Sequence, residues 1–102
     1  MTVRLACRDD QAVLTIQGRF DFNAHAEFRK CSEAALQTEH ARRIVVNLAQ
    51  VDYLDSSALG MLLLLREKAA GAGGPEVVLD GARGIVRQVL EVANFSRMFR
   101  IG

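Results

Sequence analysis

At 102 residues the chain has room for one hydrophobic core and no second domain. Half of its residues are apolar and a quarter charged, the balance of a soluble globular domain, and a net charge of +1 makes no electrostatic case for nucleic acid or an anionic membrane. A chain of this size buries about 60–68% of its unfolded surface, enough for a core without metal or disulfide staples.

The first element is a strand over Thr2 to Cys7, with Val3, Leu5 and Cys7 on one face. Arg8-Asp9-Asp10-Gln11 is a polar turn, and Ala12 to Gln17 resumes strand patterning through Val13, Leu14 and Ile16 until Gly18 ends it. The short connection makes the pair an antiparallel hairpin. Asn23 is the expected N-cap of a helix running to about Thr38, whose core face is Ala24, Phe28, Cys31 and Ala35. Arg43 to Leu48 is too short and too β-branched for a helix, and its run of Ile44, Val45, Val46 and Leu48 reads as a central strand buried on both faces. A helix from Ser56 to Ala70 follows, stopped by Gly71-Ala72-Gly73-Gly74-Pro75. Glu76 to Leu79 is another buried strand. A third helix, about Arg83 to Ala93, sets Ile85, Val86, Val89, Leu90, Val92 and Ala93 on one broad stripe, with Asn94 in the left-handed position at its end. Phe99 and Ile101 anchor the tail.

Strands and helices in alternation imply parallel strands joined by right-handed crossovers, added to the N-terminal hairpin. The fold class is therefore α/β: a mixed, mostly parallel sheet with three helices packed on it, in a single domain over 1–102. Cys7 and Cys31 form no C-x-x-C pair, and no signal peptide opens the chain, so both are expected as reduced thiols in a cytoplasmic protein. The longest apolar run, Ala58 to Leu65, is too short to span a bilayer. The chain as numbered runs to Gly102.

Catalysis finds no support. His25, in the first turn of a helix, and His40, in a charged loop, have no cysteine or carboxylate at metal-ligand spacing. There is no G-x-S-x-G elbow, P-loop or G-x-G-x-x-G, and the Gly-rich 71–74 stretch precedes a strand, where it presents no helix N-terminus to phosphate. No cofactor or metal is expected.

The turn Val51-Asp52-Tyr53-Leu54-Asp55-Ser56-Ser57-Ala58-Leu59-Gly60 is different. Asp55 or Ser56 is expected to cap the helix that starts there. A serine at that place presents its hydroxyl to solvent, and a phosphate on it would meet unpaired amides and the positive end of the helix dipole. The fold would survive while the surface gained about −1.5 to −2 charges beside Asp52 and Asp55. Ala58, Leu62 and Leu65 form the helix's core face; Gly60 and Leu64 lie on the far side near Glu67, with Leu63 at the boundary. That outward face is either a partner surface or is covered by the chain's own C-terminal segment.

These residues resemble the STAS domain family in its anti-sigma factor antagonist type. The matching pieces are Leu14 to Asp21, with its strand, Gly18 and Asp21; Ile44 to Leu48 followed by the Asp55-Ser56-Ser57-Ala58-Leu59-Gly60 turn; and the Val86 to Ile101 tail. The family's turn reads D-S-S-G-L-G, so Ala58 stands where glycine is usual. Many relatives also continue past the position of Gly102 into another helix, so some cover of the sheet is expected to be absent, with a homodimer or a partner over the gap.

The resemblance implies a partner switch. An anti-sigma factor with GHKL-type serine kinase activity would phosphorylate Ser56, a PP2C-type phosphatase would reverse it, and the unphosphorylated form would hold the anti-sigma factor. Asp21, Asp55, Ser56, Ser57, Gly60, Leu63 and Leu64 are the expected partner-binding residues, with Ser57 a cap or secondary contact. The alternative is a STAS accessory subunit bound to the ATPase of a lipid-transport ABC complex. Small proteins of that kind resemble D-T-A-G in this turn, and Asp55-Ser56-Ser57 favours the switch. A weak nucleotide-binding module is a third reading, with no phosphate-cradling loop behind it.

Overall fold

The computed structural model describes residues 2–38, 41–71 and 73–102. In chain order the elements are β1 (Thr2–Arg8), β2 (Gln11–Phe20), a 3-10 turn at Phe22–Ala24, α1 (His25–Leu36), β3 (Arg43–Leu54), α2 (Ser56–Gly71), β4 (Glu76–Asp80), α3 (Gly84–Val92), a 3-10 turn at Phe95–Arg97, and β5 (Arg100–Ile101). The five strands form one sheet in the order β1-β2-β3-β4-β5, antiparallel between β1 and β2 and parallel thereafter.

Strand order fixes where the helices can go. Each parallel strand is followed by its neighbour on the same side, so right-handed crossovers all fall on one face of the sheet. The burial pattern agrees: Val3, Ala12, Leu14, Ile16, Ile44, Val46, Leu48, Val77 and Leu79 are buried with Phe28, Leu62, Leu65, Val86 and Leu90 of the helices in a single core. The alternate residues, Val13, Thr15, Val45 and Val78, are only half-buried. The expectation of a third strand buried on both faces is thus corrected to one covered face and one open face.

Two strands also run further than their apolar patterns suggest. Gly18 does not end β2; it takes a φ of +91°, open to glycine at no steric cost, and the strand continues to Phe20. Register shifts at Thr15/Gln17 and Gly18/Arg19 mark the bulged stretch. β3 continues to Leu54 instead of stopping at Leu48, because Gln17, Gly18, Arg19 and Phe20 keep pairing with Gln50, Val51, Tyr53 and Leu54 after the last β4 pair at Asn47 and Asp80. Where β3 parts from β4, the Asn47 side chain accepts from the Ala49 amide at 3.0 Å.

The helices need smaller corrections. Asn23 caps nothing: it lies inside the 3-10 turn, and Asp21 caps that turn by accepting from the Asn23 amide at 3.0 Å. The α1 core face is Ala24, Phe28 and Ala35 as expected, with Cys31 half-buried and Ser32 buried beside it. α1 ends at Leu36, and the Thr38 hydroxyl donates back to the Ala34 carbonyl at 3.1 Å. The broad stripe of α3 is divided: Val86 and Leu90 enter the core, while Ile85 and Val92 are 64% and 84% exposed. Asn94 does take the left-handed conformation, at φ 60°. The tail then stacks Phe95 on Phe99 (centroids 5.1 Å apart), both buried, and adds Arg100 and Ile101 to the edge of β4.

Gly81 shows how tightly the β4–α3 connection lies on β3. Its φ is +79°, and a Cβ placed there would come within 2.9 Å of the Ala49 Cβ and 3.0 Å of the Ala49 amide nitrogen. Gly81→Ala therefore meets both left-handed strain and backbone overlap, and is expected to lower unfolding free energy by about 1–3 kcal/mol in urea denaturation. An unchanged midpoint would mean that this connection yields freely.

Candidate functional site

The long parallel pair β2–β3 delivers two strand ends to the same place. Phe20 pairs with Leu54, and the Asp55 amide donates to the Phe20 carbonyl at 3.4 Å. Asp21 and Ser56 each follow within two residues, at neighbouring ends, and the 3-10 turn after Asp21 packs beside α2.

Asp55 is the N-cap of α2. Its Oδ1 accepts from the Ala58 amide at 3.0 Å, and its carbonyl accepts from the Leu59 amide at 3.1 Å. Neither Ser56 nor Ser57 takes that role. Ser56 is the first helical residue and is exposed, whereas Ser57 is half-buried. Ala58 is fully buried, so its methyl group is part of the core.

Asp21 is held from two sides. One carboxylate oxygen accepts from the Asn23 amide, and the other lies 3.5 Å from Arg19 Nε. The Asp21 side chain is 18% exposed and that of Arg19 63%. The Arg19 guanidinium also lies 4.0 Å from the centroid of the Tyr53 ring, a cation–π contact that the β2–β3 register sets up by pairing these two residues. Arg19 and Tyr53 were not among the residues singled out from sequence, since their pairing depends on the extra residues of β3 at the two register shifts.

Along α2, Gly60 is exposed, and a Cβ added there would meet nothing within 4 Å. Leu63 is half-buried at the boundary, and Leu64 is 44% exposed. Leu64 lines a shallow groove between α1 and α2 with His25, Phe28, Met61 and Lys68. Phe22, 71% exposed and stacked on His25, stands close by, an aromatic residue the sequence pattern did not single out. The C-terminal segment meets α2 elsewhere: Arg66 Nε donates to the Met98 carbonyl at 2.8 Å, leaving Gly60 and Leu64 uncovered.

The remaining polar chemistry is structural. Cys31 donates to the Val3 carbonyl, and burial, reinforced by Glu27 and partly offset by Lys30, pushes its thiol above the ordinary value, away from the reactive thiolate. Cys7 is exposed and free. His40 lies outside the described residues. Among the described residues, no three His, Cys, Asp or Glu side chains are grouped to hold a metal, and no helix is long and apolar enough to cross a membrane.

Residues 3–100 match the family model described as Mlab, STAS domain. A STAS-domain containing protein of Pseudomonas aeruginosa is 46% identical over 91 residues, covering 89% of this chain and 87% of that protein. BtrV of Bordetella bronchiseptica, named as an anti-sigma factor antagonist, is 30% identical over 93 residues, covering 91% of this chain and 78% of its own length. Among solved structures, the Bacillus anti-sigma factor antagonist SpoIIAA, determined in unphosphorylated and phosphorylated forms, shares the fold with a TM-score of 0.73 at 18% identity. Those alignments cover 99% of this chain and 87% and 91% of the two SpoIIAA chains. The chain belongs to the STAS domain family, and its matches include STAS domains of the anti-sigma factor antagonist type.

Proposed function

We propose that this protein is an anti-sigma factor antagonist that works by partner switching in the cytoplasm, with Ser56 as the phosphoacceptor. The observation that carries this reading is the division of labour at the start of α2. Asp55 makes the cap, so the exposed Ser56 hydroxyl is not needed to hold the helix. The unmodified surface of Asp21, Asp55, Ser56, Ser57, Gly60, Leu63 and Leu64 binds an anti-sigma factor that is also a GHKL-type kinase. That kinase transfers the γ-phosphoryl group of ATP to Ser56 Oγ: a P–O bond forms to the serine, the bond to the β-phosphate breaks, and ADP and the serine proton leave. A PP2C-type phosphatase hydrolyses the ester. The phosphate sits at the positive end of the α2 dipole, which keeps the fold, but it adds charge beside exposed Asp52 and half-buried Asp55, which expels the partner.

Three sets of variants test this. Ser56→Ala is expected to bind the anti-sigma factor constitutively and to show no phosphopeptide by mass spectrometry, while Ser56→Asp weakens the complex at least about tenfold. Phosphorylation persisting in Ser56→Ala would move the site elsewhere. Capture of an ABC ATPase, with indifference to Ser56→Asp, would instead support the accessory-subunit reading.

Asp55→Ala should cost about 1 kcal/mol through loss of the cap, and Asp55→Asn much less, since an asparagine oxygen caps as well. Comparing the two by thermal denaturation and by partner binding separates the cap from the charge. At Gly60, alanine should raise stability by about 0.5–1 kcal/mol, because glycine is costly within a helix and the site is open. Arginine there should keep the fold and block docking. Undiminished binding by Gly60→Arg would remove this face from the interface.

A further inference from the structure

The open face of the sheet carries an ordered pattern of charge. Read across the strands, one row is Arg4, Thr15, Asn47 and Asp80; the next is Ala6, Val13, Val45 and Val78; the third is Arg8, Gln11, Arg43 and Glu76. The centre is apolar and half-buried from β2 to β4, with Arg4 and Arg8 on β1, Asp80 and Glu76 on β4, and Arg100 of the edge strand β5 beside Val78. Arg4 and Asp80 are exposed, and neither forms an ion pair among the described residues. Glu76 is shared between Arg43 at 3.3 Å and Arg100 at 3.8 Å within the chain.

We propose that a second copy of this chain covers the open face, docked about a two-fold axis parallel to the strands and midway between β2 and β3. That operation lays β1 over the second copy's β4 and β2 over its β3 while keeping each row in place. Arg4 then faces the second copy's Asp80, Arg8 faces its Glu76, Ala6 its Val78, and Val13 its Val45. Each pair occurs twice, as an isologous interface requires. The other in-plane axis, perpendicular to the strands, would set Arg4 against Arg8 and Glu76 against Asp80, like charge on like. The charge layout thus selects one orientation. A partner of a single sign would meet repulsion on one side of the face, whereas a second copy sets the unpaired Arg4 against the unpaired Asp80 twice over.

Stacked sheets lie about 10 Å apart, a gap that an arginine and an aspartate side chain span together. The footprint, four strands wide and five residues long, is roughly 15–20 Å on a side. It falls below the size of stable specific interfaces, among weak and transient ones, so a dimer in the micromolar range or weaker is expected. The helix layer faces away, leaving Ser56 and Gly60 exposed on both copies.

Sedimentation velocity on the full chain, from about 1 μM to about 1 mM, is expected to show a concentration-dependent dimer that weakens with salt. Arg4→Glu and Asp80→Arg should each weaken it about tenfold or more, and the combined Arg4→Glu/Asp80→Arg variant should restore it. Val45→Asp should leave a monomer; circular dichroism on that variant confirms folding, and the surface charge reversals stand independently of it. A monomer throughout the series overturns the proposal. So does a dimer indifferent to the single reversals, one not rescued by the combination, or one lost on Ile85→Arg in the helix layer.

Discussion

The pairing of β2 with β3 is the constraint on which the rest depends. A strand has a side-chain period of two, so the register that buries Leu14 and Ile16 beside Ile44, Val46 and Leu48 also fixes which residues face away. A slip of β3 by one residue against β2 would carry Val45 into the core beside Leu14 and turn Val46 out. The same pairing continues past the end of β4, so that Phe20 and Leu54 arrive together, both buried, beneath the start of α2. Asp21 and Ser56 are neighbours because their strands are.

At that junction the helix cap and the proposed acceptor are separate residues. A cap works by giving a side-chain oxygen to an amide that the helix leaves unpaired. Asp55 does so with a carboxylate, which also suits the dipole, and its carbonyl begins the helical hydrogen bonds. Had Ser56 been the cap, a group attached to its hydroxyl would have competed with the bond that starts the helix. As built, the hydroxyl is spare. The Arg19–Asp21 pair and the Arg19–Tyr53 contact stand on an exposed rim, where such interactions are each worth about 1 kcal/mol or less. Their value is in aiming Asp21, more than in holding the fold.

Much of this was legible in the sequence, and the misses have common physical causes. Ala58, Leu62 and Leu65 could be assigned to the core because a helix repeats every 3.6 residues and the pattern is local. Asp55-Ser56-Ser57 could be placed at a helix start for the same reason. Local patterns say nothing of strand order, so Val45 and Val78 read as buried on both sides when all the helices lie on one. Gly18 reads as a stop because glycine usually is one; here it takes a positive φ inside a continuing strand, beside a register shift of its β3 partner. The apolar residues of α3 make a stripe wider than its contact with the sheet, which leaves Ile85 and Val92 outside. Arg19 and Tyr53 could not be joined on paper, since two register shifts lie between the pattern and their meeting.

The two faces of the molecule end up with different chemistries, and that difference follows from the one-sided placement of the helices. Among the described residues, Phe22, Leu64, Ile85 and Val92, the large apolar side chains most exposed to solvent apart from Tyr53 on the rim, belong to the helix layer or the turn that leads into it. The open sheet face has its apolar centre set between charges of opposite sign on β1 and β4. Helices expose apolar flanks where a third neighbour is missing; a sheet face without helices keeps branched residues at its centre and charges towards its edges. On the proposed function, a partner held by the first face would be selected by apolar contact and by the charge state at the start of α2. One held by the second, as proposed, would be selected by the order of charges across the strands. The β2–β3 pair lies between them and is buried on the side of the helices, so each face can be occupied without rearranging the other.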